Sequence, residues 1–460
     1  MESTKCFQIF LAIINFMIAD ICIIGDGYSS TILLLNLARK KFDLKKVIVV
    51  GPDQLGAGQA FAHHGFDYRL NGPADRIKIL KDEPYDFLNW AEKNIVDHEA
   101  KTKIGKFYRR RDFSKYLTYK LEKLKNYSDI RQIKEVAVDI EFKNSSGQIF
   151  LSNGTKIKAK IIVMATGNPD SSWPFKLAIE KNQNLIEEPW RRTWARNISS
   201  QNVVALIGSG LTALDAIHEL KHINFKGEIL LISPKGLVPT SHIGWYRSKQ
   251  IKWPKNLNAI LFYKFMRHNL NSLGWNDPEW QRTFDGLREG ISTAWIKLSP
   301  DDRKKLITKL GWLWQLMRFR ASPQVSASMN EFLHEGRLKI VKNRATLLER
   351  KDEDTFLIKL KDKQSVTANF VINCTGARQN KLIKKLIDRK FIKADPAFPL
   401  HPKITKNLEL ETQNSQPFLR IFALGPPTAH FCGDVIGATK IANQAECLAN
   451  VLGKIFKIHD

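Results

Sequence analysis

The feature that most constrains this chain is a pattern that occurs twice. Ile21-Cys-Ile-Ile24 is a continuous apolar run, the kind that forms a parallel strand buried on both faces. The turn Gly25-Asp26-Gly27-Tyr28-Ser29-Ser30 follows, then Thr31 to Ala38 with helical length, then a second buried strand at Lys46-Val-Ile-Val-Val50. The pattern restarts 183 residues further on. Val203-Val-Ala-Leu-Ile207 leads into Gly208-Ser209-Gly210-Leu211-Thr212-Ala213, a helical Leu214 to Leu220, and a strand at Glu228-Ile-Leu-Leu-Ile232. Each is a βαβ unit. Two of them predict an α/β chain with two Rossmann-like dinucleotide-binding domains.

The turn chemistry says what such units hold. In Gly25-x-Gly27-x-x-Ser30 the first glycine permits the tight turn and the second lets backbone approach a pyrophosphate. The third position needs only a small residue. Free N–H groups at the helix start, with Ser29 and Ser30 beside them, then hold a diphosphate. Gly208, Ser209, Gly210, Leu211 and Thr212 repeat the logic.

An acid at the end of the second strand would bind a ribose hydroxyl. In the first unit that place is Gly51, followed by Pro52 and Asp53, so either Asp53 or backbone does the work. In the second unit the strand ends Ser233-Pro234-Lys235. A neutral residue followed by a cation favours the 2′-phosphate of NADPH over NADH, unless Lys235 is a surface lysine.

Two further strand ends, Met164-Ala165-Thr166-Gly167 and Asn373-Cys374-Thr375-Gly376, are apolar strands that stop in a small polar Thr-Gly, and they resemble the segments at which two-dinucleotide proteins cross between their units. The expected organisation is therefore a first domain over 17–170, a second over 195–370 and a return to the first over 371–460. Val136 to Phe142 and Ile149 to Ser152 read as a hairpin across Asn144 to Gly147. Residues 245–320 have little strand character and seven tryptophans, from Trp245 to Trp314, and are predicted as a helical insertion. Strands are predicted again at 338–341, 356–360, 370–373 and 420–424, with a final helix from about Thr439.

The chain has a net charge of +26, spread thinly apart from Arg109-Arg110-Arg111 and Arg303-Lys304-Lys305. No nucleic-acid module accompanies it, so the excess is expected on a solvated surface, where it attracts anionic cofactors and substrates. The five cysteines, Cys6, Cys22, Cys374, Cys432 and Cys447, include no C-x-x-C pair. That argues against a disulfide framework, a zinc site and a flavin-linked redox disulfide, and for a reduced, cytoplasmic protein. Cys6 to Ile24 is apolar, but it runs directly into the first strand. We expect residues 1–16 to be an extension with the working start near Met17, and no stable membrane insertion.

Beyond these patterns, several segments resemble a known family. They are Leu55-Gly-Ala-Gly-Gln-Ala-Phe61, Arg69-Leu-Asn-Gly-Pro-Ala-Asp-Arg76, Glu83-Pro-Tyr-Asp-Phe-Leu-Asn-Trp90, Phe107-Tyr-Arg-Arg-Arg-Asp-Phe113, Ala165-Thr-Gly-Asn-Pro169, Ser233-Pro-Lys-Gly-Leu-Val-Pro239, Arg318-Phe-Arg-Ala-Ser-Pro323 and Ala423-Leu-Gly-Pro426. From about Ala19 to Leu452 the chain resembles FAD/NAD(P)-binding flavoproteins that include a bacterial FAD-dependent urate hydroxylase. More distantly it is similar to the flavin-containing and N-hydroxylating monooxygenases. The resemblance implies FAD in the first domain and a nicotinamide cofactor in the second. It adds Gln59, Ala165, Thr166, Gly167, Thr375, Gly376 and Gly425 to the expected cofactor contacts.

By the same resemblance Asn71 lies beside the reactive edge of the flavin, where an amide can stabilise developing charge. The alternative is a turn asparagine before Gly72-Pro73. The implied reaction is NADPH-dependent hydroxylation of a small molecule with molecular oxygen. The alternatives are a reductase, dehydrogenase or oxidase, or a non-catalytic redox-sensing flavoprotein. The resemblance does not extend to urate as substrate. Flavoproteins of this layout often carry Gly-Asp after the last strand. Here Gly433-Asp434 comes eight residues after Gly425, so the ribityl role is not transferred. The tryptophans of the insertion are either a lid over the substrate or core. His63 and His64 are read as loop histidines. Arg69, Arg76 and Arg109 to Arg111 either bind an anionic substrate or serve the surface and the diphosphate.

Overall fold

The computed structural model describes residues 17–61, 67–143, 146–180, 182–191, 193–244, 247–376, 379–413, 420–434 and 436–457. The N-terminal extension, His63, His64, the hairpin tip Asn144-Ser145 and Trp245 lie outside the described residues.

Strand Met17–Ile24 is the centre of a seven-stranded sheet. It runs parallel to Val47–Val50 on one side and to Lys156–Met164 on the other. Arg131–Ile133 extends the sheet beyond Val47–Val50. Lys156–Met164 has two partners on its far side. Its first half takes the hairpin of Ala137–Lys143 and Ser146–Leu151, and its last four residues pair in parallel with Arg420–Ala423. The chain therefore returns to its first sheet after crossing the second.

Ile21, Cys22 and Ile23 have no solvent exposure, as their unbroken apolar run predicts for a strand covered on both faces. Helices Tyr28–Arg39 and Ala438–Ile455 pack together over one face. Helix Lys381–Asp388 covers the other, burying Leu382, Ile383 and Leu386 at helical spacing.

The second sheet is parallel throughout, in the order Leu185–Ile186, Phe370–Asn373, Val203–Ile207, Glu228–Ser233, Leu338–Lys342. Helix Leu211–His222 follows its fingerprint strand. A third sheet joins Ser365–Ala368, Phe356–Leu360 and Ala345–Arg350 antiparallel, with Lys176–Ala178 at its edge. In these two sheets the sequence reading missed Ala345–Arg350, Ser365–Ala368, Lys176–Ala178 and Leu185–Ile186, and in the first it missed Arg131–Ile133. These strands are short, or mix charged and apolar residues on a half-exposed sheet, so no continuous apolar run marks them.

Residues 259–318 are helical, as Ala259–Leu270, Pro278–Glu289, Ile291–Trp295 and Pro300–Arg318. Proline begins two of these helices, behind Asp277 and Ser299, whose side chains accept from Glu279 N and Asp302 N. Trp280 and Trp295 are core, while Trp275 and Trp312 are exposed.

Candidate cofactor sites and the seam between them

The two glycine turns have the same construction. Gly25 has φ +116°, and a Cβ there would lie 2.2 Å from the Ala165 carbonyl oxygen. Gly208 has φ +104°, and its Cβ would lie 2.7 Å from the Cys374 carbonyl oxygen. Each turn is thus closed by the end of the strand that the sequence reading marked as a crossing. Only glycine tolerates both the left-handed backbone and that approach. Helices Tyr28–Arg39 and Leu211–His222 then start at Gly27 and Gly210, neither with a side-chain cap. As at any helix start, the first N–H groups lack an intrahelical partner, the arrangement that accepts a diphosphate. Both cradles fit a dinucleotide.

Around the first cradle, Ser30 donates from Oγ to the Gly25 carbonyl at 2.5 Å, which fixes the turn. Ser29 is buried, with Oγ against Gly425, where φ is +77°. The Gly425 N–H donates to Gln444. Gly58 packs on Gly27, so the Leu55–Phe61 segment lies over the fingerprint, with Gln59 exposed beside it. Ala165 is buried and donates its N–H to the Ile24 carbonyl at 2.8 Å. Thr166 Oγ1 accepts from Asn380 at 2.8 Å, and Gly167 follows with φ +66°.

At the ribose position, Asp26 takes the space that the missing side chain of Gly51 leaves, and its carboxylate accepts from Asp53 N at 2.5 Å. Burial, with Asp53 nearby, raises the Asp26 pKa to about 6. The acid beside the end of the second strand therefore comes from inside the glycine turn. The sequence reading did not foresee this, because it looked for the acid along the strand.

Around the second cradle, Ser209 donates to the Leu237 carbonyl at 2.6 Å. Leu211 and Thr212 form the first turn of the helix. Thr375 donates from Oγ1 to Asn373 Oδ1 at 2.7 Å, and Gly376 has φ +86°. Lys235 is exposed, and its ammonium lies 4.8 Å from the centre of the Trp312 ring.

Asn71 is exposed on a loop of the first unit and reaches the second. Its carbonyl accepts from His242 Nε2 at 2.5 Å, and its Oδ1 accepts from Arg110 at 3.3 Å. Burial, then the Arg320 guanidinium, push the His242 pKa down to about 3. The ring is therefore neutral, with its proton on Nε2 to make that bond.

Segments 68–70 and 108–110 run side by side, through Leu70 N to Tyr108 O and Arg110 N to Tyr68 O. Two motifs that the sequence shows separately are thus one structure. From it, fully buried Arg69 bonds Asp67, Asp97 and Glu99, and Arg109 bonds Asp67 at 2.7 Å. Arg69 and Arg109 are spent on internal pairs, rather than on a substrate or on the surface and diphosphate contacts that the sequence left open.

Across the seam, helix Leu211–His222 presents Asp215, His218 and His222. Asp215 pairs with Arg110 at 2.8 Å, with both side chains buried. His218 lies between Ser328 at 2.7 Å and Asp67 at 3.1 Å. Burial opposes ionisation of Asp67, but His218, His222, Arg69 and Arg109 outweigh it and hold its carboxyl well below the usual range. The ligand atoms of Asp67, His218 and His222 converge within 4.8 Å, yet two guanidinium groups already meet that carboxylate's charge. The group ties the two units together. Sequence reasoning missed it because the partners lie 151 residues apart, and only the His218/His222 spacing on one helix hints at it. A small cleft beside it is lined by Tyr68, Trp190, Trp194, Thr212 and Asp215.

A second buried network fixes the insertion. Asp434 bonds Arg288 at 2.7 Å and Arg318 at 2.6 Å, and Asp285 pairs with Arg320 and Arg288. Asp434 thus holds the insertion against the returning segment.

Comparison with known proteins agrees with this architecture. Residues 22–169 match the FAD-NAD(P)-binding family. No curated protein matches the chain. Among solved structures, the ornithine hydroxylase of Pseudomonas aeruginosa is similar over 96% of this chain and 100% of its own, with a TM-score of 0.64 and 13% identity. The L-lysine 6-monooxygenase of Pseudomonas syringae covers 95% and 99%, with a TM-score of 0.60 and 15% identity. The bacillithiol disulfide reductase of Staphylococcus aureus covers 96% and 99%, at 0.57 and 11%. These likenesses show the fold: an α/β flavoprotein architecture with two nucleotide-binding sheets. No helix among the described residues is long and apolar enough to cross a membrane.

Proposed function

We propose that the protein is an FAD- and NADPH-dependent monooxygenase that hydroxylates a small molecule with molecular oxygen. The observation that carries the reading is the paired cradle. Gly25 against Ala165 and Gly208 against Cys374 make two dinucleotide sites, and Asn71 of the first unit is held by Arg110 and by His242 of the second. When bound, the nicotinamide supplies hydride and the flavin supplies oxygen activation.

The chain's own part is to bind, orient and exclude water. Gly25, Gly27, Ser29 and Ser30 hold the FAD diphosphate, with Gln59, Ala165, Thr166, Gly167 and Gly425 lining the same site. Asp26 or Asp53 serves the ribose. Gly208 to Thr212, with Thr375 and Gly376, hold the nicotinamide cofactor, and Lys235 meets its 2′-phosphate. Asn71 stands at the reacting edge. Its Oδ1 accepts from Arg110, so its amide N–H₂ is the group left to donate to developing negative charge.

The same fold is shared by a bacillithiol disulfide reductase, so the fold alone fits a reductase as well. Against that reading, the four described cysteines are all free, and Cys22 and Cys374 are buried thiols whose pKa burial raises. The test is the flavin absorbance during anaerobic titration with NADPH and with NADH, then turnover under ¹⁸O₂ with a panel of amines and aromatic acids. Faster bleaching by NADPH and one labelled oxygen in the product are expected. Bleaching with reoxidation and no labelled product from any substrate identifies a reductase or oxidase. A protein that binds no flavin refutes both.

A further inference from the structure

The helical insertion concentrates two properties that globular surfaces keep apart. Residues 260–312 hold seven of the seventeen large hydrophobic side chains exposed among the described residues. Over residues 247–320, fifteen Lys and Arg stand against six Asp and Glu, a net +9. Helix Ala259–Leu270 turns Phe262 and Met266 inward, onto a cluster with Trp295, Leu306 and Leu310. Its other face shows Ile260, 65% exposed, with Leu261, Tyr263, Lys264 and Arg267. Helix Pro300–Arg318 likewise turns Leu306 and Leu310 inward and leaves Lys304, Lys305, Ile307 and Lys309 in solvent. The two helix starts touch, because the Asp302 carboxylate takes a backbone hydrogen bond from Ala259. The solvent-facing apolar and basic side chains of the two helices therefore belong to neighbouring, packed elements.

We propose that this face docks on the surface of an anionic lipid bilayer. Aliphatic and tyrosine side chains ringed by lysines are the pattern of helices that lie in a membrane interface, apolar groups in the acyl boundary and ammonium groups at the headgroups. Charge complementarity selects the occupant. The insertion is strongly basic within a chain of net charge +26, and an anionic leaflet attracts such segments. The interaction is peripheral and leaves the fold unchanged.

The test is co-sedimentation of the full-length flavoprotein with vesicles of phosphatidylcholine, with and without about one-third phosphatidylglycerol. Binding to the anionic vesicles at least about tenfold above the neutral ones, and falling as salt rises, is expected. The double variant Ile260→Ser/Leu261→Ser is expected to bind about tenfold more weakly or worse, with NADPH oxidation unchanged. Quenching of tryptophan fluorescence by brominated acyl chains checks insertion in the unsubstituted protein. Any one of three results overturns the proposal: no anionic-vesicle binding, serine-variant binding equal to the parent, or a dimer in solution that the serine variant abolishes.

Discussion

Gly210 offers a substitution that separates folding from binding. It caps helix Leu211–His222 at φ −76° and ψ −173°, backbone that alanine adopts freely, and a Cβ there would meet nothing within 4 Å. Exchanging a glycine cap for alanine costs about 1 kcal/mol, and the smaller entropy of the unfolded alanine chain offsets part of it, so stability should stay within about 1 kcal/mol. That open space is where our reading places the cofactor's pyrophosphate. A methyl group there would keep the anion from the first-turn N–H groups. Losing two hydrogen bonds to a charged group, at about 1.5 kcal/mol each, totals about 3 kcal/mol, roughly a hundredfold in affinity.

Gly210→Ala should therefore melt with the parent and bind NADPH about a hundredfold more weakly. Calorimetric titration and thermal denaturation on the same preparation read both. Gly208→Ala is the contrasting control. Its φ of +104° and the 2.7 Å approach to the Cys374 carbonyl make it a folding defect, costing about 1–3 kcal/mol for the backbone strain before the overlap is counted. If Gly210→Ala binds NADPH as tightly as the parent, the second glycine turn is not the nicotinamide site.

Three other outcomes follow from the same geometry. Asp26 has a raised pKa, so its protonated form favours the fold. That stability is fully present below pH 3.8 and is lost as pH rises to about 6. Asp26→Asn should gain on the parent by up to about 3 kcal/mol across that window and stay level above it, in urea denaturation of the apoprotein. A difference that does not vary with pH refutes the assignment. Arg110→Met leaves Asp215 buried without its cation and should cost about 3–5 kcal/mol, while Arg110→Met/Asp215→Leu should recover part of the loss. Additive losses in the double variant would show that the pair is not coupled. Asn71→Ala should keep NADPH oxidation and lose product; unchanged coupling removes Asn71 from the chemistry.

Long apolar strands and glycine turns are local, and they were legible in the sequence. Ile21–Ile24, Val47–Val50, Val203–Ile207 and Glu228–Ile232 each announce themselves through a run that only two-sided burial explains. The helical insertion was legible through its lack of strand runs. Strands such as Ser365–Ala368, stabilised by neighbours rather than by their own pattern, were not. The site divides in the same way. The cradles are fixed by glycines at set spacing, while the seam is built from charged side chains on loops and on one helix. Arg69 shows the limit: a basic residue in an exposed-looking motif is among the largest fully buried side chains of the described residues, because Asp67, Asp97 and Glu99 pair with it.

That placement bears on how the two units work together. A domain boundary meant to swing freely would be lined by solvated polar groups. Here Arg110 and Asp215 pair in the buried seam, and His218 is wedged between Asp67 and Ser328. Breaking a buried ion pair without a replacement partner costs several kcal/mol. Opening the seam would expose or strand several such groups at once. The relative position of the two cradles is therefore set by the seam, and with it the approach of one cofactor to the other. Motion that admits substrate is better sought where the insertion meets solvent than between the two nucleotide-binding sheets.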